Sequence, residues 1–248
     1  MKTPVLKSQS STTYFDFERI NAMDPIAFRA QKPFPWINPK GLLTEEGYQR
    51  LLAMLPDISL FEKSFGMERK HGQECHDRYT LEYSPELDIP PTWKDFIAEL
   101  RGEEYRTFVR RLFGVSSFDL NFHWHYAPNG CGVSPHCDAR RKVGSHLFYL
   151  NTTADWDPAW GGETVVLDDG GRLAHSWNPK FEDLEYVASS QTVGNYSFLF
   201  ARTEHSWHGV REIHCPPNRL RKIFIVVINY LTPAVRLRRL FGGRLQGY

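Results

Sequence analysis

Apolar residues recur at helical spacing in three segments of the first half of the chain. Thr44 can cap a first helix that ends before Pro56, and Thr92 with Asp95 resembles a capping box for a second. Gly114, a residue type that commonly ends helices, follows the third segment. The apolar positions are Tyr48, Leu51, Leu52 and Leu55; Trp93, Phe96, Ile97 and Leu100; and Tyr105, Phe108, Val109 and Leu112. This spacing predicts three amphipathic helices after an irregular stretch over residues 1–35.

The pattern changes to alternation at Phe118. Apolar residues alternate with polar ones from Phe118 to Tyr126, which is typical of a strand with one buried face. Short apolar runs between Gly, Pro, Asn and Asp turns predict five more strands, at residues 145–150, 162–167, 184–189, 196–201 and 222–230. Many short strands and three helices indicate class α+β. They fit a sandwich or jelly roll with the N-terminal helices packed on one outer face.

The chain of 248 residues has the length of one compact domain, and no internal repeat or low-complexity linker divides it. We therefore predict a single domain over residues 1–248. Residues 1–117 would give mainly helical support, residues 118–231 the core, and residues 232–248 a basic tail.

Composition and charge exclude several classes of protein. Hydrophobic residues make up 41% and charged residues 24%, which excludes disordered and fibrous chains. A net charge of +1 gives no field for nucleic acid or a membrane surface, and the longest apolar run, residues 223–228, is too short to span a bilayer. The first 15 residues lack a signal-peptide core, and four cysteines without paired spacing predict reduced thiols in the cytoplasm. These cysteines are Cys75, Cys131, Cys137 and Cys215.

The clearest chemical signal is His136-Cys137-Asp138. On extended backbone, residues two apart point the same way, so His136 and Asp138 can hold one metal ion while Cys137 points to the opposite face. Two imidazoles and one carboxylate on one face of an octahedron form the facial triad of non-haem Fe(II) oxygenases, which leaves three positions open. The third ligand must come from elsewhere, and His205, His208 and His214 are the candidates. A zinc site that includes Cys131 or Cys215 is the alternative.

The surroundings of this segment resemble a known family. The resemblance covers residues 118–231, and its motifs are Tyr126-Ala127-Pro128-Asn129-Gly130, His136 and Asp138, Phe148-Tyr149-Leu150-Asn151, Trp156, Gly161-Gly162, and Leu199-Phe200 to His208-Gly209-Val210. In order and spacing they resemble the prolyl-hydroxylase branch of the Fe(II)- and 2-oxoglutarate-dependent oxygenase superfamily. The resemblance implies a double-stranded β-helix (jelly roll) core, with His136, Asp138 and His208 as iron ligands and catalytic residues. The implied cofactors are Fe(II), 2-oxoglutarate as cosubstrate and O2, with ascorbate as an optional stimulant.

The resemblance also implies contacts to 2-oxoglutarate. Tyr126 and Tyr149 match tyrosines that bind the cosubstrate in some members, although both also fit as core aromatics. The family holds the C5 carboxylate of 2-oxoglutarate with a basic residue on its last strand. Arg219 is favoured by family spacing, and Arg221 by the apolar positions that follow it at strand parity. An arginine fork suits either place, and we prefer Arg221.

The function implied is a dioxygenase that hydroxylates an unactivated C–H bond and releases succinate and CO2. Asp138 favours hydroxylation, because related halogenases have Gly or Ala at that position. The substrate is an unidentified small molecule or a protein side chain such as prolyl. A polar stretch containing His71, Glu74, His76 and Arg78 is either a substrate wall or a solvated loop. The alternatives are a cupin-type metalloenzyme and a non-catalytic sensor or interaction module.

Overall fold

The computed structural model describes residues 13–67 and 76–231. Its helices are α1 (Phe17–Ala22), α2 (Pro25–Ala30), α3 (Glu45–Ala53), α4 (Pro91–Arg101) and α5 (Glu103–Phe113). Its strands are β1 (Trp36–Ile37), β2 (Glu62–Ser64), β3 (Arg78–Glu82), β4 (Phe118–Ala127), β5 (Val133–His136), β6 (Lys142–Tyr149), β7 (Val165–Asp168), β8 (Glu185–Ser189), β9 (Ser197–Ala201), β10 (His208–Val210) and β11 (Arg221–Tyr230).

The strands form two antiparallel sheets. The larger sheet has seven strands in the order β1-β9-β6-β11-β4-β3-β2, and the smaller has four in the order β5-β10-β7-β8. The centre of the larger sheet is β11, which pairs along its whole length with β4 and along most of it with β6. This mixture of helices with two sheets of jelly-roll type confirms the predicted fold class.

The helices pack on the outer face of the larger sheet through an aromatic core. Phe96 of α4 lies 5.5 Å from Phe148 of β6 and 5.7 Å from Phe224 of β11, measured between ring centroids. Trp93 lies 5.1 Å from Trp124 of β4 in the same way. Fully buried rings of this size contribute most of the burial energy of such an interface. The predicted position of the N-terminal helices on one outer face is confirmed.

Alternate residues on each strand of the larger sheet face either the helices or the interior between the two sheets. On β4, the even positions such as Phe122, Trp124 and Tyr126 belong to the helical core. On β11, the odd positions Ile223 and Ile225 face inward and pack with residues of the smaller sheet. The odd positions of β4, β6 and β11 are therefore available to line a site between the sheets.

Several local predictions hold and two are wrong. Thr44 caps α3 by accepting a hydrogen bond from the Gly47 amide, and Gly114 ends α5 in the left-handed region at φ 68°. By contrast, α4 begins at Pro91, so Thr92 lies inside the helix and no side chain caps it. Residues 1–35 were predicted to be irregular, but α1 and α2 lie there, each capped by an aspartate.

The division of the chain at residue 117 is less sharp than predicted. Strands β1, β2 and β3 come from the first half and extend the larger sheet at both edges. They are short and mostly half-exposed, so they lack the apolar alternation that predicted the later strands. The predicted basic tail at residues 232–248 lies outside the described residues, as do His71, Glu74 and Cys75.

Candidate metal and cosubstrate site

Two short strands bring a pair of histidines together. His136 is the last residue of β5, His208 is the first of β10, and the two are direct partners across the antiparallel pair. Their ring centroids are 4.5 Å apart. Asp138 follows two residues after His136, and one ligand atom from each of His136, Asp138 and His208 lies within 4.8 Å of the others. Cross-strand pairing thus supplies the third ligand that the sequence segment alone lacks.

Each histidine is held by the same local contact. His136 Nδ1 lies 3.0 Å from the carbonyl oxygen of Ser134, and His208 Nδ1 lies 2.9 Å from that of Ser206. A carbonyl can only accept, so Nδ1 carries the proton and Nε2 keeps a free lone pair. Burial, with a smaller effect of His208, lowers the pKa of His136 to about 3, and burial also lowers the pKa of His208. Both rings are therefore neutral at physiological pH, the form that binds a metal.

The Asp138 carboxylate is buried and ionised. Burial alone raises the pKa of this carboxyl, but the charge and hydrogen bond of Lys142 outweigh burial and hold the pKa well below its usual value. Lys142 Nζ lies 2.7 Å from Asp138 Oδ1, and Ser145 Oγ donates to Oδ2 at 3.4 Å. Two neutral imidazoles and one carboxylate are the donor set that suits Fe(II) in a facial triad.

The other candidate ligands lie elsewhere. His205 Nδ1 contacts the buried Asp169 carboxylate at 3.0 Å, and His214 is largely exposed beside Glu212. Cys137 points away from the triad, as predicted, into a cluster with Leu167 and Trp207. Within residues 13–67 and 76–231, the triad is the only group of three or more His, Cys, Asp or Glu side chains that could hold a metal ion. The structure thus gives no support to a zinc site at Cys131 or Cys215.

The triad lines a cavity of about 110 Å³ between the two sheets. Apolar residues from both sheets form most of its wall, among them Leu147, Ile223, Ile225, Val133 and Val210.

Arg221 places a buried cation in this cavity. Its Nε donates to the Gly162 carbonyl, while its Nη2 is buried with no hydrogen-bond partner in the described part of the chain. Burial lowers the pKa of Arg221, but an arginine stays charged at neutral pH. A buried guanidinium with an unpartnered nitrogen is costly to leave unmatched, and a ligand carboxylate would match it. The residues present therefore fit 2-oxoglutarate as well as iron.

Gly162 makes room for this arginine. Its φ of +94° is one that L side chains rarely adopt, and an added Cβ would lie 2.9 Å from Arg221 Cδ. Arg219, the other arginine considered, lies before β11 and lines a separate surface pocket with Trp156 and Trp160. The structure thus brings Arg221 to the triad and leaves Arg219 outside.

Tyr126 and Tyr149 lie on opposite faces of the larger sheet. Tyr126, predicted to contact 2-oxoglutarate, lies on the helical face of β4, where its ring stacks on Phe61 at 4.3 Å. Strand parity points it away from the cavity, so the structure does not bring it to the site. Tyr149 lies on the inner face beside Arg221, whose guanidinium carbon is 5.8 Å from the ring centroid. Its hydroxyl contacts Thr164 Oγ1 at 2.8 Å and Ser190 Oγ at 2.7 Å, so Tyr149 supports the cavity wall from behind.

His76 and Arg78 belong to the polar stretch that was predicted to be a substrate wall or a solvated loop, and both line the cavity, with the ring centroids of His76 and His136 5.1 Å apart. His125, Lys142 and Thr164 also line it. Strand parity could have found His125, because the even positions of β4 face the helices and the odd positions face the interior between the sheets. No sequence signal marks Lys142 or Thr164.

Replacing each tyrosine by phenylalanine should separate the two roles. The Tyr126 hydroxyl is buried with no hydrogen-bond partner among the described residues, so Tyr126→Phe should change the free energy of unfolding by less than about 0.5 kcal/mol. Tyr149→Phe loses contacts to two hydroxyls and should cost about 1–2 kcal/mol. Urea unfolding of both variants measures the difference. Equal losses in the two variants would contradict these placements.

Comparison with known proteins agrees with this geometry. Residues 122–228 match the family model of the 2OG-Fe(II) oxygenase superfamily. A search of curated proteins finds no match. The predicted resemblance to this superfamily, including its prolyl hydroxylases, is confirmed by the family match and by solved structures of similar fold.

Three of those structures show the range of similar proteins. A Pseudomonas putida prolyl-4-hydroxylase is 15% identical, with a TM-score of 0.53, over 79% of this chain and 92% of that one. A Trichoplax adhaerens prolyl hydroxylase, solved with a hypoxia inducible factor oxygen degradation domain peptide fragment, is 11% identical, with a TM-score of 0.60, over 92% and 94%. The non-heme alpha ketoglutarate dependent carbocyclase SnoK from nogalamycin biosynthesis is 13% identical, with a TM-score of 0.58, over 92% and 96%.

Residues 122–228 therefore match the 2OG-Fe(II) oxygenase superfamily in sequence, and the chain shares the fold of these solved oxygenase structures. That superfamily implies Fe(II), 2-oxoglutarate and O2, and His136, Asp138 and His208 form the candidate iron site. No helix in the described ranges is both long and apolar enough to cross a membrane.

Proposed function

We propose that this protein is an Fe(II)- and 2-oxoglutarate-dependent hydroxylase that inserts oxygen into an unactivated C–H bond and releases succinate and CO2. One observation carries the proposal. A complete set of two neutral histidines and one carboxylate shares a cavity with a buried arginine that has an unpartnered nitrogen. A triad alone would suit several metalloenzymes, whereas the added arginine matches a cosubstrate with a free carboxylate.

Each part of the cavity has a separate task in this proposal. His136, Asp138 and His208 would hold Fe(II), and Arg221 would pair with the C5 carboxylate of 2-oxoglutarate. Bound iron with 2-oxoglutarate and O2 supplies the oxidising chemistry. The apolar wall formed by Leu147, Ile223 and Ile225 excludes water, which strengthens the ion pair to Arg221.

Hydroxylation is favoured over halogenation because Asp138 is present. The related halogenases have Gly or Ala at that position, and here a buried carboxylate fills it. The substrate in this proposal is a small molecule or a protein side chain such as prolyl. The similar structures include both a prolyl hydroxylase with a peptide and a carbocyclase of nogalamycin biosynthesis, so the fold suits either class.

Anaerobic titration tests the proposed reaction. Fe(II) and 2-oxoglutarate added without oxygen should give a weak visible charge-transfer band, and oxygen should then yield succinate. Zinc should occupy the same ligands and inhibit, because it binds N/O sites more tightly than Fe(II) and has no redox chemistry. A band without succinate for any substrate tried would favour a non-catalytic sensor. Metal binding with no response to 2-oxoglutarate would favour a cupin-type metalloenzyme.

We also propose that the protein works in the cytoplasm. Cys131, Cys137 and Cys215 are free and buried in the structure, which is compatible with a reducing compartment.

A further inference from the structure

Both oxygens of the Asp138 carboxylate receive hydrogen bonds from the chain itself. Lys142 Nζ contacts Oδ1 at 2.7 Å, and Ser145 Oγ donates to Oδ2 at 3.4 Å. The side chains of Lys142 and Asp138 are 4% and 8% exposed, so this is a buried ion pair. Such a pair rarely adds stability over apolar residues of the same size, so its presence beside the triad calls for a functional reason.

The backbone around the pair is fixed as well. The Lys142 amide donates to the Ala139 carbonyl at 2.9 Å and closes the turn that leads from Asp138 into β6. Arg202 Nε donates to the Asp138 carbonyl at 3.1 Å, and Arg202 is itself bound to Glu204 at 2.7 Å. The Asp138 main chain and its carboxylate plane are therefore both held in one orientation.

We propose that Lys142 is a positioning residue that restricts Asp138 to metal binding through one carboxylate oxygen. This proposal rests on the function proposed above. A carboxylate can bind a metal through one oxygen or through both. Lys142 and Ser145 together fix the carboxylate plane, with Oδ1 4.0 Å from the His136 Nε2 ligand atom and Oδ2 held by the Ser145 hydroxyl.

One-oxygen binding matters because of what must bind next. A facial triad works only while three metal positions stay open for a two-point cosubstrate and dioxygen. If Asp138 used both oxygens, it would take one of those positions. Loss of Lys142 should therefore weaken the affinity for 2-oxoglutarate more than the affinity for the metal.

The test separates metal affinity from cosubstrate affinity without turnover. Co²⁺ and then 2-oxoglutarate are titrated by calorimetry into the full chain, as wild type and as Lys142→Met, Lys142→Arg and Ser145→Ala. Arg141→Met is the matched control, because Arg141 is an exposed cation next to Lys142. Lys142→Met should bind Co²⁺ at least as tightly as wild type but bind 2-oxoglutarate about tenfold more weakly or worse, a loss of about 1.4 kcal/mol. Lys142→Arg should recover most of that loss, and Arg141→Met should match wild type.

Ser145→Ala distinguishes positioning from simple charge. It keeps the ammonium but removes the donor to Oδ2, so 2-oxoglutarate affinity should fall by a smaller factor, with Co²⁺ affinity kept. If Ser145→Ala has no effect, or if metal and cosubstrate affinity fall together in Lys142→Met, the proposal is overturned. Ser145→Ala also serves as the test should Lys142→Met fail to fold. Failure of the proposed function would look different, since the wild-type protein loaded with metal would then not bind 2-oxoglutarate.

Discussion

Alanine at any one of His136, Asp138 and His208 is expected to abolish succinate formation while the protein stays folded. Each change removes one of three ligand atoms that lie within 4.8 Å of one another. Loss of groups that only orient ligands commonly costs 10–100-fold in metal affinity, so loss of a ligand should cost more than about 100-fold. Metal content after Fe(II) loading and succinate yield, with circular dichroism as the check on folding, measure the effect.

Two other histidines provide controls for this experiment. His205 pairs with Asp169 and His214 is mostly exposed, so His205→Ala and His214→Ala should keep both iron and activity. Iron retained in His208→Ala but lost in either control would show that the distal ligand has been misassigned.

Arg221→Ala is expected to raise the 2-oxoglutarate concentration for half-maximal succinate formation by about two orders of magnitude or more. Removing one partner of a buried charge pair typically costs about 3–5 kcal/mol, and 1.4 kcal/mol corresponds to tenfold. The large effect is expected because Arg221 is only 6% exposed and its Nη2 has no partner in the described chain. Iron binding should be unchanged, since Arg221 is not among the triad.

Two further variants, Arg221→Lys and Arg219→Ala, serve as comparisons for Arg221→Ala. Arg221→Lys should recover only part of the affinity, because a point charge cannot reproduce the two parallel hydrogen bonds of a guanidinium fork. Arg219→Ala should be nearly silent, because Arg219 lines a separate pocket at the surface. A large loss in Arg219→Ala with a mild one in Arg221→Ala would move the carboxylate site two residues back along the chain.

The longer elements of the fold could be predicted from sequence because their apolar periodicity spans several turns or pleats. Strand β4 has ten residues of alternating pattern, and α5 has four buried positions at helical spacing. Strands β5 and β10, which carry the two histidines, have four and three residues. Strands this short hold at most two periods of alternation, which is too few to stand out in the sequence, so tertiary pairing defines them.

The candidate site, like the fold, could be predicted from sequence only in part. The candidate metal ligands were predicted from family motifs together with the i, i+2 geometry of His136 and Asp138, and strand parity favoured Arg221, which lines the same cavity. Tyr126 shows the limit of spacing, because a matching distance along the chain does not tell which face of β4 a side chain occupies. Lys142 could not be predicted from sequence, since its contact with Asp138 depends on the turn that joins them.

The position of His136 at the end of β5 has a mechanical consequence. Strand β5 is the edge strand of the smaller sheet and pairs only with β10 in that sheet. An ion bound by both His136 and His208 would cross-link β5 to β10. The fraction of molecules that carry this cross-link would rise with metal concentration. A ligand that binds only the folded form stabilises it by RT ln(1 + [L]/Kd). Metal binding would therefore stabilise the pairing of β5 with β10 as well as supply the ion for the reaction.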